Sequence, residues 1–234
     1  LPMPSNFTLD ISPSYLAGRL KRTAVPQVAT NELPSAPLDV VYADNFGPIP
    51  FKTRNGFNSV DGFLDAASHY FFGRLVLNKG GDVSLKHFKA HIKKTITKSF
   101  RDKGIDVMQC DHEWMFAGTH ADFNMTCVRD ETALRFSVPH THEQHALIER
   151  IWYTLMAMVR SALYYADAPI EWWGVAFIQA ILIYNCTPNS ALDDDTPYRR
   201  WTGYKTADFS LFRTLFCPVE VLIPAKSRTS KAHP

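Results

Sequence analysis

Three short segments rich in apolar residues open the patterned part of the chain: Leu38–Asp44, Phe57–Leu64 and Tyr70–Leu77. The last two are rich in aromatic and branched residues, which is typical of strands. Gly47–Pro48 interrupts the pattern after the first segment, and Asn55–Gly56 is a strong hairpin-turn signal before the second. These segments therefore predict three consecutive strands that form an antiparallel meander.

A helix is predicted next, with Asp82 or Ser84 as its N-terminal cap and an end near Ser99. Its apolar residues recur at spacings of three and four, so they form one stripe that faces the sheet. The stripe consists of Leu85, Phe88, Ile92 and Ile96. Several lysines lie mostly off this stripe, among them Lys93 and Lys94. This basic face is either an ordinary solvated helix surface or a surface that follows DNA phosphates.

Strands and helices then alternate along the chain. Ile105–Met108 is predicted as a fourth strand, about His120–Arg129 as a weak helix, and Ala133–Val138 as a fifth strand. With the long helix that comes next, the order of predicted elements is β-β-β-α-β-α-β-α. The predicted fold class is α/β, with a mixed sheet of three antiparallel strands plus parallel strands, flanked by helices.

Helices dominate the rest of the pattern. After a loop at Pro139–Glu143, a long helix is predicted to run to about Ala166. Its expected core stripe is Leu147, Ile151, Leu155, Met158 and Ala162. Glu171–Cys186 is a mostly apolar helix, which is typical of a buried helix or an interface helix. Thr196–Trp201 is a short helix with proline in its first turn.

Composition narrows the class of protein. The chain has 234 residues, of which 46% are hydrophobic and 21% charged, and these are values of a globular domain. No apolar run approaches the length of a membrane span, so no membrane association is expected. The four cysteines are far apart and form no C-x-x-C pair, which favours reduced thiols in an intracellular protein. The net charge of +2 excludes a uniformly basic nucleic-acid binder and leaves room for a local DNA-binding patch.

Three carboxylates stand at informative positions in this pattern. Asp44 ends the first predicted strand, Asp111 follows the fourth, and Glu149 lies in the first turns of the long helix. Metal-dependent phosphoryl transfer needs a few converging oxygen ligands that hold two divalent cations about 3.5–4 Å apart. Strands and a helix can present such ligands rigidly. We therefore take Asp44, Asp111 and Glu149 as the candidate catalytic residues and metal ligands.

The same segments resemble the integrase of copia-type LTR retrotransposons, in the DDE integrase/transposase superfamily. Order and spacing carry the resemblance from Leu38 onward, including an interval of 149 − 111 = 38 residues between the second and third acids. The matching segments are Asp44–Ile49, Phe63–Tyr70, Cys110–Asp111, Pro139–Arg150, Thr154–Leu163, Trp172–Asn185, Thr196–Lys205 and Leu211–Pro224. The resemblance implies an RNase H-like fold, which agrees with the order of predicted elements.

The resemblance also implies a division of the chain. Residues 1–37 would be a linker or arm, a remnant of the end of a zinc-binding domain, and 38–205 the catalytic core with C-terminal helices. Residues 206–234 would begin a small β-barrel-like module with a basic tail. Ser12 and Tyr15 stand where the family has cysteines, so no zinc is expected. The histidines at 140, 142 and 145 have a spacing that suits zinc, but substituted DNA-facing loop residues explain them without a metal.

As a member of that family, the chain would be a DDE polynucleotidyl transferase in a Gag-Pol-type polyprotein. It would use two Mg²⁺ or Mn²⁺ ions for 3′-end processing and for strand transfer of element DNA into target DNA. Its expected partners are double-stranded DNA, both element ends and target, and further copies of itself, and its expected location is the nucleus. The alternative is a catalytically silent, diverged or domesticated integrase-like protein that binds DNA or a partner.

Candidate DNA-binding residues cluster around the third acid and on the basic helix. They are Gln144, His145, Arg150, Tyr153, Lys93 and Lys94. Where the family has a polar residue and then a basic one, this chain has Trp152 and Tyr153. These aromatic side chains are expected to stack on an unpaired DNA base, unless Trp152 packs under the neighbouring apolar helix. Bulky residues also follow Asp111, notably Trp114, and they distinguish the chain from typical relatives.

Overall fold

One mixed sheet forms the centre of the part of the chain that the structure describes. This computed structural model describes residues 34–77, 81–100, 102–111, 121–136, 146–204, 207 and 209–217. The strands are β1 (Val40–Phe46), β2 (Ser59–Asp65), β3 (Phe71–Val76), β4 (Val107–Cys110) and β5 (Ala133–Phe136). Their spatial order is β3-β2-β1-β4-β5, with β1–β2 and β2–β3 antiparallel and β1–β4 and β4–β5 parallel. The predicted fold class is confirmed.

Helices cover both faces of this sheet. They are α1 (Gly81–Thr95), α2 (Ala121–Arg129), α3 (Ala146–Tyr165), α4 (Trp173–Cys186) and α5 (Pro197–Thr202). Short 3-10 turns at Lys98–Phe100 and Ile170–Trp172 flank α1 and α4, and they account for most of the difference from the predicted helix ends. Among the described residues, no helix is long and apolar enough to cross a bilayer.

The alternation of side chains along the strands separates two apolar cores. Val41 and Ala43 of β1 pack with α1 and α2 on one face of the sheet. Tyr42 and Phe46 pack with α3 and α4 on the other face. Because successive strand residues point to opposite faces, each residue of β1 is assigned to one core by its position.

Two predicted details of this packing are corrected. The fourth strand is Val107–Cys110 instead of Ile105–Met108, because its parallel register with β1 begins at the Val40–Val107 pair. The stripe of α3 is rotated by about one residue, since Leu147, Met158 and Ala162 are only half-buried. The buried stripe is instead Ile148, Ile151, Trp152, Leu155, Val159 and Leu163. This rotation turns the indole of Trp152 toward the sheet.

Two buried acids of β2 serve the fold. The Asp65 carboxylate accepts hydrogen bonds from the backbone N–H of Leu38 at 2.7 Å and of Ser68 at 2.8 Å. Asp61 accepts from the hydroxyl of Ser84 at 2.5 Å and from the side-chain amide of Asn45. Both acids therefore stabilise loops and helix α1 against the strands.

The predicted flanking segments fall mostly outside the described residues. Of the arm predicted at 1–37, the structure describes only 34–37, so the zinc-related positions Ser12 and Tyr15 lie outside it. Of the predicted module at 206–234, it describes 207 and 209–217. That short part forms a 3-10 turn at Phe209–Leu211 and a turn at 215–216, and it contains no strand. Trp114 also lies outside the described residues.

Candidate active site

The first candidate carboxylate lies near the end of the central strand. Asp44 shares its face of β1 with Tyr42 and Phe46, so its side chain projects toward helix α3. Its two oxygens are both hydrogen-bonded. Oδ1 accepts from the backbone N–H of Asn45 at 2.7 Å, and Oδ2 accepts from the indole Nε1–H of Trp152 at 2.8 Å.

The second carboxylate lies beside the first because of the parallel register. Ala43 of β1 is the partner of Cys110 of β4, and the next residues along the two chains are Asp44 and Asp111. Neighbouring parallel strands lie about 4.8 Å apart, so the two aspartates leave the sheet side by side. Ala43 and Cys110 are both buried in the opposite core, which directs the two carboxylates toward α3.

The two aspartates affect the pKa of the buried Cys110 thiol. Burial raises the pKa of this thiol, and the Cys127 thiol and the carboxylates of Asp44 and Asp111 raise it further. Each of these charges disfavours the thiolate, so Cys110 stays a neutral, buried side chain. Its packing role is that of a small apolar residue beneath the two acids.

The third carboxylate comes from the helix above this face. Glu149 lies in the first turn of α3 and is exposed. Trp152 follows it by three positions, and residues at that spacing are neighbours on one helix face. Because Trp152 donates a hydrogen bond to Asp44, Glu149 belongs to the turn of α3 that lies next to Asp44. All three acids are therefore at the same end and on the same face of the sheet.

The three carboxylates are not drawn together around one point. Within the described residues, no group of three His, Cys, Asp or Glu side chains is placed to hold a single metal ion. Two cations about 3.5–4 Å apart make a different demand, because their ligands are spread over a wider site. Carboxylate oxygens are the donors that Mg²⁺ and Mn²⁺ prefer, and the carboxylate of Asp44 keeps part of its acceptor capacity beyond its two hydrogen bonds. The donor chemistry fits such ions, and the assignment of the three ligands stays a prediction.

The predicted DNA-binding residues are distributed over both faces of the sheet. Arg150 and Tyr153 lie on α3 close to Glu149, both exposed, with Tyr153 at 38%. Lys93 and Lys94 are exposed in the last turn of α1, in the layer on the opposite face of the sheet. Gln144 and His145 lie outside the described residues. The structure thus groups Arg150 and Tyr153 with the acids and separates the two lysines from them.

Trp152 is the residue whose place the sequence left open. It is 4% exposed and packs against Phe177 of α4, with ring centroids 6.0 Å apart. Packing under the apolar helix is therefore the correct alternative, and base stacking by Trp152 is excluded by its burial. Its hydrogen bond to Asp44 was not predicted. The available signals were its spacing of three from Glu149 and the glycine at position 62, within the second predicted strand.

A five-stranded mixed sheet with this strand order, covered by helices on both faces, defines an RNase H-like α/β fold. The fold recurs in a chain of the cryo-EM structure of the simian T-cell lymphotropic virus intasome in complex with PP2A regulatory subunit B56 gamma. The TM-score is 0.57 at 14% identity, over 87% of this chain and 64% of that chain.

Among curated proteins, the chain is similar to the retrovirus-related Pol polyprotein from transposon TNT 1-94 of Nicotiana tabacum. The two are 25% identical over 193 residues, which is 82% of this chain and 14% of the polyprotein. No protein-family model matches the chain. The resemblance predicted from the sequence motifs is confirmed, and the chain is integrase-like. It spans about one seventh of the length of the polyprotein.

Proposed function

We propose that this chain is the catalytic core of a retrotransposon integrase, which processes the 3′ ends of element DNA and transfers them into target DNA. The observation that carries the proposal is the placement of Asp44, Asp111 and Glu149 at one end and on one face of an RNase H-like sheet. The similarity to a retrotransposon Pol polyprotein supports the same class of protein. The chain would act as a DDE polynucleotidyl transferase.

Asp44, Asp111 and Glu149 would hold two Mg²⁺ or Mn²⁺ ions, and no zinc. When bound, the ions would supply an activated water or DNA 3′-hydroxyl and stabilise the charge of the transferring phosphoryl group. Asp44 enters this site with a fixed orientation, because both of its oxygens already accept hydrogen bonds. Glu149 sits on the exposed side of α3, where its side chain can reach DNA and solvent.

Arg150 and Tyr153 would contact the DNA end that reaches the acids. An exposed arginine pairs with phosphate, and an exposed tyrosine stacks on an unpaired base. Gln144 and His145 precede α3 in sequence and would contact the same DNA end. We propose further that the protein acts as a homo-oligomer on element ends and target DNA in the nucleus, since two ends must be joined to one target.

The proposed function is tested by making the same substitution at two exposed glutamates, one of which is a proposed metal ligand. Glu149→Gln removes the charge of the proposed ligand, and Glu171→Gln makes the same change at an exposed residue of the Ile170–Trp172 turn. Both variants are assayed for nicking of a supercoiled plasmid and for joining of a labelled duplex oligonucleotide to it, in Mg²⁺ and in Mn²⁺. We expect Glu149→Gln to abolish both reactions and to leave binding of the duplex intact, while Glu171→Gln behaves as the wild type. Equal activity of the two variants would refute the proposal.

The substituted residues near the third acid favour a second candidate function, a catalytically silent integrase-like protein that binds DNA or a partner. Trp152 and Tyr153 stand where the resemblance implies a polar residue and then a basic one, and aromatic side chains cannot neutralise phosphate. Such a protein would bind the labelled duplex with and without divalent cations and would neither nick the plasmid nor join DNA to it. The wild-type assay therefore separates the two candidates.

A further inference from the structure

The indole ring of Trp152 is held in one orientation by its aromatic neighbours. Phe46 and Phe177 stack on it with centroid distances of 5.3 and 6.0 Å, and Phe71 meets it edge-on at 5.1 Å. The ring is 4% exposed, and its Nε1–H donates to Asp44 Oδ2 at 2.8 Å. A buried N–H of this kind costs free energy unless it finds an acceptor, so the contact with Asp44 is maintained by the burial of the ring.

A glycine makes room for this ring. Gly62 of β2 is the direct partner of Asp44 on β1. A Cβ atom at position 62 would lie 2.5 Å from Cζ2 and 2.7 Å from Cη2 of Trp152. Glycine weakens the interior of a strand and often marks a close approach of another group to the backbone. Here the approaching group is the indole that contacts Asp44.

The hydrogen bond joins the elements that carry two of the three acids. Trp152 lies one helical turn after Glu149 on α3, and Asp44 lies on β1. Asp44 Oδ1 is held by the backbone of Asn45, so the bond from Trp152 to Oδ2 completes the orientation of the carboxylate. The same bond sets the position of the first turns of α3 relative to β1, and thereby the position of Glu149 relative to Asp44.

We propose that Trp152 is a positioning residue for the metal-binding carboxylates. Its indole N–H orients the Asp44 carboxylate and keeps Glu149 within reach of the same pair of cations. The inference rests on the proposed function, because it assumes that these acids bind cations. Hydrogen-bond partners of metal ligands typically change metal affinity or activity by about 10–100-fold when they are removed.

A second tryptophan provides a matched control. Trp173 on α4 belongs to the same apolar core, is 1% exposed, and donates its indole N–H to the backbone oxygen of Phe51 at 2.8 Å. Trp152→Phe and Trp173→Phe therefore remove the same kind of hydrogen bond and the same ring from one core. Only the first bond ends on a candidate metal ligand.

Three properties of both variants are measured. They are the affinity for Mn²⁺, by electron paramagnetic resonance; the thermal stability; and the rate of plasmid nicking as a function of Mn²⁺ concentration. We expect both variants to lose similar stability. Trp152→Phe should weaken Mn²⁺ binding by about 10–100-fold, and its nicking rate should recover toward the wild-type value at saturating Mn²⁺. Trp173→Phe should bind Mn²⁺ as the wild type does. Equal Mn²⁺ affinities for the two variants would overturn the inference.

A second variant keeps the test decisive if Trp152→Phe does not fold. Gly62→Ala displaces the indole and retains its N–H, so it should also weaken Mn²⁺ binding relative to Trp173→Phe; wild-type affinity in Gly62→Ala would count against the role.

Failure of the proposed function has a different signature. In that case wild-type protein and Asp111→Asn bind Mn²⁺ equally, and both proposals fall. If Asp111→Asn loses Mn²⁺ while Trp152→Phe retains it, only the positioning role is wrong.

Discussion

At the scale of single residues, two adjacent aromatic side chains have different tasks. Trp152 is buried beneath α4 and hydrogen-bonded to Asp44, whereas Tyr153 is 38% exposed on the helix that carries Glu149 and Arg150. The helical rotation of about 100° per residue separates their directions. A base-stacking role, first expected for either residue, is therefore retained for Tyr153 alone.

The Tyr153 role is tested by Tyr153→Ala and Tyr153→Lys in binding to a fluorescent duplex with an unpaired end, measured across a salt series. A stacked base contributes about 1–3 kcal/mol with little dependence on salt, whereas a lysine–phosphate contact weakens steeply with salt. We expect Tyr153→Ala to weaken binding at every salt concentration and Tyr153→Lys to restore it only at low salt. Unchanged DNA affinity in both variants would show that Tyr153 does not contact the DNA end and that its role is structural.

At the scale of elements, one side chain of α4 is hydrogen-bonded to the edge strand of the sheet. Strand β3 is an edge strand, and the amide of Asn185 exchanges two hydrogen bonds with the backbone of Phe71. The backbone N–H donates to Oδ1 at 2.9 Å, and Nδ2 donates to the backbone oxygen at 2.8 Å. The asparagine thus satisfies backbone groups that an edge strand would otherwise present to another chain.

We predict that Asn185→Ala lowers the free energy of unfolding by about 2–4 kcal/mol, because it removes two hydrogen bonds and leaves the buried backbone groups of Phe71 unsatisfied. Gln179→Ala on the same helix is the control, since the contact of the Gln179 amide with the backbone oxygen of Arg213 is exposed and 3.4 Å long. Urea unfolding measures both variants. Equal losses for the two would show that the Asn185 contact adds little to the attachment of α4.

At the scale of the whole molecule, the sheet separates two basic surfaces. Arg150 lies in the layer of α3 with the candidate acids, and Lys93 and Lys94 lie in the layer of α1 on the opposite face. A short DNA duplex bound at Glu149 would therefore lie beside Arg150. DNA contact by the lysines stays a prediction, and it concerns a different stretch of DNA.

We predict that Arg150→Ala reduces the salt dependence of binding to a short duplex by about one phosphate contact, a change of roughly 0.9 in the slope of log affinity against log salt. The double variant Lys93→Ala/Lys94→Ala should leave that slope unchanged and weaken binding only to long duplexes. Fluorescence anisotropy with duplexes of two lengths measures both. A reduced slope for the double variant on the short duplex would show that one short DNA reaches both faces.

Much of this protein follows from local pattern alone. Runs rich in aromatic and branched residues identify the strands. The apolar spacing of three to four residues identifies α1, because that spacing records which side of the helix is buried. Leu85, Phe88, Ile92 and Ile96 are all buried as predicted. Asp111 follows β4 directly, as the pattern predicts, whereas Asp44 lies within β1, which continues to Phe46.

Only the tertiary structure decided how the site is assembled. The sequence could not reveal that Trp152 donates a hydrogen bond to Asp44, 108 residues away, or that Gly62 makes room for the indole. Both facts depend on the rotation of α3 about its axis and on the register of β1 with β2, which arise from packing between distant segments. The same packing explains why the buried stripe of α3 differs by about one residue from the predicted one. Gly62 in the facing strand leaves space for the ring of Trp152, which the helical period alone would place at the border of the buried stripe.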